Sequence, residues 1–496
     1  MKGKCYIECG FYLLVASLFV TFFSYTTSPL YHWGDTPDSP IFQIIGKYWA
    51  EGSVPYQDLW DLKGPFIFFV NALGYWLTGS RLGVYLLQIL SLTFTLLTLH
   101  HIFNLQPPTS TRRSQISNLK PQISNLKPQI SNLLSLAGLS YVYGGGNLTE
   151  EYILFPLSLS FYYILRWLND YEARHQLCHC PWHAILYGIV LGLCLMSRLT
   201  NALSLCAAIL VIVCMLLWHR EYRNLLLNAL SFLGGFILVT SPFVAYFAAH
   251  DALTDMWNGT FVFPWEYTGH SHMDLMDIGI HYFLLSYFNS FLLIAVVVIM
   301  LLKSRTITPR IALYLLSASI PLLWFCLGNG YGHYGMIVFP LFALALIELR
   351  RMKFTYLTYA VALLLLIGAA SKMRYMYVMY HWENKEVTDC QAFLHQNPTI
   401  DYSSFVAYQC DPSLYLAEDI RPAVPVFALQ EMGKDRIPQW TSFVTNLFLT
   451  HEPQWILVKR SPDNSQLMIQ SILDTHYQLQ LSDSDKQLEL YKIAPL

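Results

Sequence analysis

Residues 33–39 read Trp33-Gly34-Asp35-Thr36-Pro37-Asp38-Ser39, and residues 54–65 read Val54-Pro55-Tyr56-Gln57-Asp58-Leu59-Trp60-Asp61-Leu62-Lys63-Gly64-Pro65. Four carboxylates and a lysine stand here among aromatic and aliphatic side chains, with a helical-looking segment between the two stretches. A solvated loop would be polar throughout, so this one is expected to fold back on the element it leaves. That element is the apolar run from Phe11 to Pro29, long enough to cross a bilayer and preceded by Lys2 and Lys4. No small-residue cleavage site follows it, and Tyr25, Tyr31, His32 and Trp33 suit an interfacial aromatic belt. The run therefore reads as a retained first span, and residues 30–65 as the first outer loop.

The rest of the chain asks for the same solvent. Of its 496 residues, 54% are hydrophobic and 12% charged, against about 25% charged in soluble domains, which leaves too little polar surface to cover one soluble core. Further spans are read at Leu82–Phe103, Leu133–Tyr143, Tyr152–Leu168, Ala184–Met196, Leu199–Trp218, Leu225–Ala249, His281–Leu302, Ile311–Leu327, Met336–Leu349 and Phe354–Ala370. The fold class is thus a polytopic α-helical membrane protein of about eleven spans, several of them short of the roughly 20 residues a straight span needs.

Loop charge sets the orientation. Arg112, Arg113, Lys120 and Lys127 share one connector, Arg220 and Arg223 another, then come Lys303, Arg305 and Arg310, and Arg350, Arg351 and Lys353. The alternate loops carry Asp35, Asp38, Asp58 and Asp61, then Glu150 and Glu151, then Asp251, Asp255, Glu266, Asp274 and Asp277. The basic connectors are expected in the cytoplasm, so the N-terminus lies inside a cytoplasmic (inner) membrane and an odd span count puts the tail outside. Cations confined to connectors also speak against a nucleic-acid partner.

Residues 1–375 form the transmembrane unit on this reading. Within it, residues 106–131 hold a repeated Gln-Ile-Ser-Asn-Leu-Lys-Pro, whose in-register prolines deny it a stable helix and mark a low-complexity cytoplasmic insert. From about His381 the character turns soluble. Apolar runs Phe405–Tyr408, Trp455–Val458 and Leu488–Ile493 read as strands, and Asp389–His395 and Leu467–Leu473 as amphipathic stretches, so residues 381–496 are expected to form a small extracytoplasmic α/β domain.

Cys194, Cys206, Cys214 and Cys326 sit in apolar runs as small hydrophobes. Cys178 and Cys180 with His175, His179 and His183, and His270 and His272 with Asp274, lack the spacing of paired zinc ligands. A divalent metal is left open and no other cofactor is expected. Cys390 and Cys410 could pair in an external tail.

The first outer loop holds the ingredients of group transfer: a general base, a cation for a phosphate and stacking surfaces for a sugar ring. Its pattern Asp38-Ser39-x-x-Phe42, Gly46, Gly52, Val54-Pro55-Tyr56-x-Asp58-x-x-Asp61-x-Lys63-Gly64-Pro65 resembles that of the GT-C membrane glycosyltransferases, in the branch of the dolichyl-phosphate-mannose protein mannosyltransferase-like and aminoarabinose transferase-like proteins. The resemblance extends more weakly to Asn147-Leu148-Thr149-Glu150-Glu151, to Ser197-Arg198, and to His333-Tyr334 before Pro340. It implies an inverting transfer of a sugar from a polyprenyl-phosphate donor to a glycan, lipid or protein acceptor at the outer face. A loop aspartate would be the base: Asp38 by motif match, with Asp35 a close rival. Lys63 inherits the contact with the carrier phosphate, and Arg198 the place of a basic residue facing the same pocket. Glu150, His333, Tyr334, Tyr56 and Asp61 complete the expected substrate contacts. Gly328 to Gly332 lacks the arginine that relatives often place ahead of the His-Tyr pair, which leaves the role of His333 open.

Each residue has a plainer reading. Asp58 and Asp61 suit turn geometry, Glu150 and Glu151 favour the start of a helix, and Arg198 can snorkel to lipid headgroups. The rival function is a transporter or flippase of lipid-linked sugars. That class favours internal repeats and polar groups at the bilayer midplane, whereas here no half repeats and the charges cluster in outer loops.

Overall fold

The computed structural model describes residues 2–32, 38–105, 128–269, 280–327, 331–352, 354–460 and 466–495. Asp35, residues 106–127 of the insert, and His270, His272 and Asp274 lie outside the described residues. The last residues of the expected insert are helical instead, because Pro128 opens a helix where a missing N–H costs nothing.

Among the described residues, nine α-helices lead up to the middle of the chain: α1 (Lys2–Phe23), α2 (Asp38–Ala50), α3 (Pro65–Thr78), α4 (Arg81–Phe103), α5 (Pro128–Val142), α6 (Leu154–Arg174), α7 (Pro181–Leu195), α8 (Leu203–Trp218) and α9 (Tyr222–Ala249). Later come Phe288–Ser304, Pro309–Leu327, Phe339–Arg351 and Thr355–Tyr380. Every expected span contains helix. Among the described residues, seven helical stretches are long and apolar enough to cross a membrane, and Pro65–Thr78, Pro181–Leu195 and Phe288–Ser304 are shorter apolar helices.

Several boundaries differ from the sequence reading, and the expected span His281–Leu302 is broken at Tyr287 into the helices Ile280–Ser286 and Phe288–Ser304. Helix α1 stops at Phe23, short of Pro29, because Ser24, Thr26 and Thr27 turn into a buried polar junction, with the Thr26 and Ser24 hydroxyls donating to the Gly145 carbonyl at 3.0 and 3.2 Å. The Thr355–Tyr380 helix runs on past Ala370, since Lys372 and Arg374 have stems long enough to cover an apolar surface without breaking the helix. Helix α3 has no counterpart in the expected spans. Its start is nonetheless written in the sequence, with Gly64 at the N-cap and Pro65 at the first helical position; Gly79 ends it in the left-handed region, its N–H bonded to Tyr75. Helix α3 packs against both α2 and α4, so the segment between α1 and α4 folds into a pair of short helices laid on the membrane unit.

The tail is a small sheet domain. Among the described residues its four strands, β1 (Phe405–Tyr408), β2 (Trp455–Lys459), β3 (Tyr477–Asp483) and β4 (Leu488–Ile493), are ordered β1-β2-β4-β3, with β1 parallel to β2 and the other pairs antiparallel. Strands β1 and β2 are buried nearly throughout, which is why they read as continuous apolar runs. Strand β3 alternates weakly and carries mostly exposed residues, so its composition gave no signal. The helix Trp440–His451 makes the crossover that a parallel β1/β2 pair requires. Cys390 and Cys410 are both buried free cysteines whose thiols lie within hydrogen-bond reach of each other.

The domain docks on the segment 38–64 between α1 and α3. Trp60 N–H donates to the Pro425 carbonyl at 2.9 Å, the Trp60 ring packs on Trp440 and Phe443 with centroids 5.2 and 5.5 Å away, and Lys47 of α2 pairs with Asp419.

Candidate active site

The segment 53–64 is held as a rigid turn. Asp58 Oδ2 accepts from the Val54 N–H at 2.7 Å and Tyr56 N–H donates to the Leu59 carbonyl at 2.7 Å, with Tyr56 itself at φ 71°. Asp58 is exposed and turned toward Arg421 at 4.0 Å, so it serves the turn. The buried Tyr56 hydroxyl donates to the Lys63 carbonyl at 2.6 Å and also meets Thr260 Oγ1 at 3.2 Å.

Two backbone bonds then stitch this loop to a distant one. Gly64 N–H donates to the Ser197 carbonyl at 3.1 Å and Phe66 N–H to the Met196 carbonyl at 2.7 Å. They bring Lys63 beside Arg198, which lies in extended backbone in the break between α7 and α8. The approach demands glycine at 64, since a Cβ there would stand 2.3 Å from the Met196 carbonyl oxygen. Gly64→Ala is expected to part the two loops, and a misplacement of about 1 Å typically costs about 10²-fold in rate. Turnover measured beside an unchanged melting temperature checks this; full activity would mean that the Lys63–Arg198 spacing does not matter.

Arg198 is fixed from two sides. Its guanidinium lies 3.3 Å from Glu150 Oε1 and stacks on Tyr334, with Cζ 3.2 Å from the ring centroid. Glu150 is buried and Arg198 partly open, so the pair holds a cation at the edge of the site and leaves part of it free to meet an anion. Lys63 faces carboxylates. Burial would lower its pKa, but the charges of Asp38 and then Asp61 outweigh that effect and hold the ammonium above its ordinary value. Asp61, half-buried, is raised by burial first, with Lys63 opposing and Asp38 adding to the rise. His333 stacks on Tyr331 with centroids 5.8 Å apart, lies edge-on to Tyr334 at 4.5 Å, and is within electrostatic reach of Glu150, Asp38, Arg198 and Lys63.

Asp38 is the first residue of α2, where a carboxylate suits the helix dipole, and it is half-buried. Its neighbour Ser39 is gripped from behind. Asn147 Nδ2 donates to Ser39 Oγ at 2.9 Å and to Asn71 Oδ1 at 2.9 Å, while Asn147 Oδ1 accepts from Tyr152 at 3.0 Å. Asn147 ends a turn whose four residues all have positive φ, with Gly144, Gly145 and Gly146 at 60°, 90° and 82° and Asn147 at 56°. Glycine is the residue that adopts such a run without strain. Glu151 anchors the turn, taking the Asn147 N–H at 2.8 Å, Gln88 Nε2 at 2.8 Å and the Tyr143 hydroxyl. Glu151→Ala would strand three buried donors at about 1–3 kcal/mol each, so a marked drop in thermal stability is expected in a melting experiment; an unchanged melting temperature would show that water replaces the carboxylate.

The structure therefore brings Asp38, Asp61, Lys63, Glu150, Arg198, His333 and Tyr334 together, commits the Tyr56 hydroxyl to the main chain of Lys63, and sets Asp58 apart. Asp35 is outside the described residues. Asn71, Gln88 and Tyr143, which support the site, were not singled out from the sequence, although a polar Gln88 inside the apolar run of α4 is a signal in itself. Among the described residues, no group of three or more His, Cys, Asp or Glu side chains is arranged to hold a metal ion. His179 of the Cys-His stretch is buried with its nitrogens facing Asn228 Oδ1 at 2.7 Å and Tyr187 at 3.3 Å, a packing role.

No family model matches the chain, and no curated protein does. Solved structures do. ArnT from Cupriavidus metallidurans bound to undecaprenyl phosphate superimposes with a TM-score of 0.56 at 16% identity, covering 97% of each chain. The same protein in the apo state gives 0.54 at 14% identity, covering 99% of this chain and 98% of the other. At such identity the likeness is one of fold. The chain carries, over nearly its whole length, the fold of ArnT, an aminoarabinose transferase among the GT-C membrane glycosyltransferases.

Proposed function

We propose that this protein is a membrane glycosyltransferase that moves a sugar from a polyprenyl-phosphate carrier to an acceptor at the outer face of the cytoplasmic membrane, with inversion at the transferred carbon. The observation that carries the reading is the convergence of Asp38, Lys63 and Arg198, drawn from three separate segments, into one partly open, charged pocket. That one ArnT structure holds undecaprenyl phosphate supports the donor class.

The residues divide the reaction among them. Asp38 accepts the proton of an acceptor hydroxyl as its oxygen attacks the anomeric carbon. The bond from that carbon to the phosphate oxygen breaks, and the polyprenyl phosphate leaves with the negative charge. Lys63 meets that charge as a compact ammonium and Arg198 as a planar fork, a pairing suited to a phosphate whose charge grows in the transition state. Asp61 holds Lys63 and Glu150 holds Arg198, so neither cation must reorganise during the step. A single displacement of this kind inverts the anomeric centre.

Native mass spectrometry of the purified protein tests the donor class. A retained polyprenyl phosphate or its glycosylated form is expected on the wild type and lost from a Lys63→Ala, Arg198→Ala double variant. Retention of ordinary phospholipid alone, equal in both proteins, would overturn the reading.

A further inference from the structure

Behind Lys63 lies a second cavity that the reaction above does not use. It has a volume of about 900 Å³, at the upper end of the usual ligand-pocket range of about 300–1,000 Å³. One wall is the outer loop at Tyr56, Gln57 and Trp60, the second is the segment Asp255 to Phe263, and the third is the tail helix Trp440–His451. Tyr56 belongs to both places, since it lines the cavity while its hydroxyl donates to the Lys63 carbonyl.

The lining has a consistent chemistry. Trp60, Phe263 and Phe443 pack on one another with centroids 5.3–5.5 Å apart in every pair, Trp60 and Phe263 buried in that cluster and Phe443 its half-buried member. Around it stand uncharged hydrogen-bonding groups. The side-chain amides of Asn258, Gln439 and Asn446 make no bond to other described residues, while the Ser442 and Thr445 hydroxyls on the same helix face donate to the carbonyls of Gln439 and Thr441 at 2.9 and 2.7 Å and offer only acceptor lone pairs. Among the described residues of the lining, Asp255 is the single charged one, and none is a lysine or arginine.

A phosphorylated headgroup in such a cavity would go without a cation, whereas the catalytic pocket has two. A fatty chain would leave the amides unpaired on desolvation. A neutral carbohydrate satisfies both halves, a C–H face on the half-buried Phe443 ring at the edge of the aromatic cluster and its hydroxyls on the amides. We infer that the cavity between the outer loop and the tail helix binds the uncharged glycan portion of an acceptor, fixing its end toward the pocket of Asp38 and Lys63. The inference rests on the transferase reading and adds the acceptor class to it. It also gives the tail domain a task, because one wall of the cavity belongs to that domain.

The test uses the full chain in detergent with short neutral oligosaccharides as probes, their binding followed by saturation-transfer NMR and by titration of tryptophan fluorescence. Thr445→Trp fills the cavity from a half-buried helix position, and a Gln439→Ala, Asn446→Ala double variant removes two exposed amides without touching the core. Saturable binding to the wild type is expected, weakened about tenfold or more in both variants, with polyprenyl-phosphate retention unchanged. Absence of saturable binding by any neutral oligosaccharide, equal binding by the variants, or binding only of a phosphorylated glycolipid would each overturn the acceptor assignment. Loss of polyprenyl-phosphate retention in the wild type would instead strike the transferase reading, so the two failures are distinct.

Discussion

Asp38→Asn is expected to lower turnover by about 10²- to 10⁴-fold, the range typical of a lost general base, while leaving carrier-lipid retention intact. The substitution keeps the size of the side chain at the start of α2 and removes only the proton acceptor. The helix should stay in place, because Ser39 beside it remains gripped by Asn147 at 2.9 Å. Asp58→Asn is the matched control from the same loop. It is exposed and occupied with the Val54 N–H, so its loss should cost local stability and leave transfer near normal. Asp61→Asn should fall between, since it removes one of the two carboxylates that sustain the Lys63 charge. The readout is transfer from polyprenyl-phosphate sugars in a membrane extract, with donor retention measured on each variant. Full transfer by Asp38→Asn would end its assignment as base and direct attention to Asp35, and full transfer after replacing both would remove the case for base catalysis from this loop.

Lys63→Ala is expected to fail at an earlier step. With the ammonium gone, Asp38 and Asp61 face each other across a half-buried site, and a carrier phosphate entering it would meet two like charges. Donor retention should fall by orders of magnitude and transfer with it. Lys63→Arg restores the charge but presents a planar fork in place of a point charge, so partial retention with poor turnover is the expected pattern. The wild-type charge also has a pH signature. Because the Lys63 pKa is raised above its ordinary 10.5, the cation is present everywhere below that value and is lost only at higher pH. Donor retention should therefore stay flat as pH rises toward 10.5, where an ordinary lysine would already be releasing protons. A decline in retention centred well below it would show that Lys63 does not hold the phosphate.

How much of this was legible in the chain follows from the physics of each element. The membrane class was, because bilayer solvation imposes long apolar runs, and the strands β1, β2 and β4 were, because they are apolar and short. Helix α3 was not, although Gly64, Pro65 and Gly79 spell its ends, because its apolar run is too short to meet the length of a bilayer span. Strand β3 and the Trp440–His451 helix stayed hidden because their exposed residues dilute any period. In the site, residue types pointed to chemistry and could not supply proximity. Nothing in the spacing of Lys63 and Arg198 predicts that Gly64 bonds to Ser197, or that Glu150 spends its carboxylate on Arg198 and Glu151 its own on the turn that holds Asn147. Two adjacent glutamates look alike in a sequence, and only the fold gives them different work.

The central assignment of transferase over flippase comes down to the fate of the donor. With the purified protein in sealed vesicles that carry a polyprenyl-phosphate sugar labelled in both the sugar and the phosphate, the two labels can be followed separately after adding an acceptor extract. A transferase should part the labels, leaving polyprenyl phosphate in the membrane and sugar on the acceptor, in amounts that match and that depend on Asp38. Movement of the intact donor from one leaflet to the other with both labels still joined, unaffected by Asp38→Asn, would contradict it.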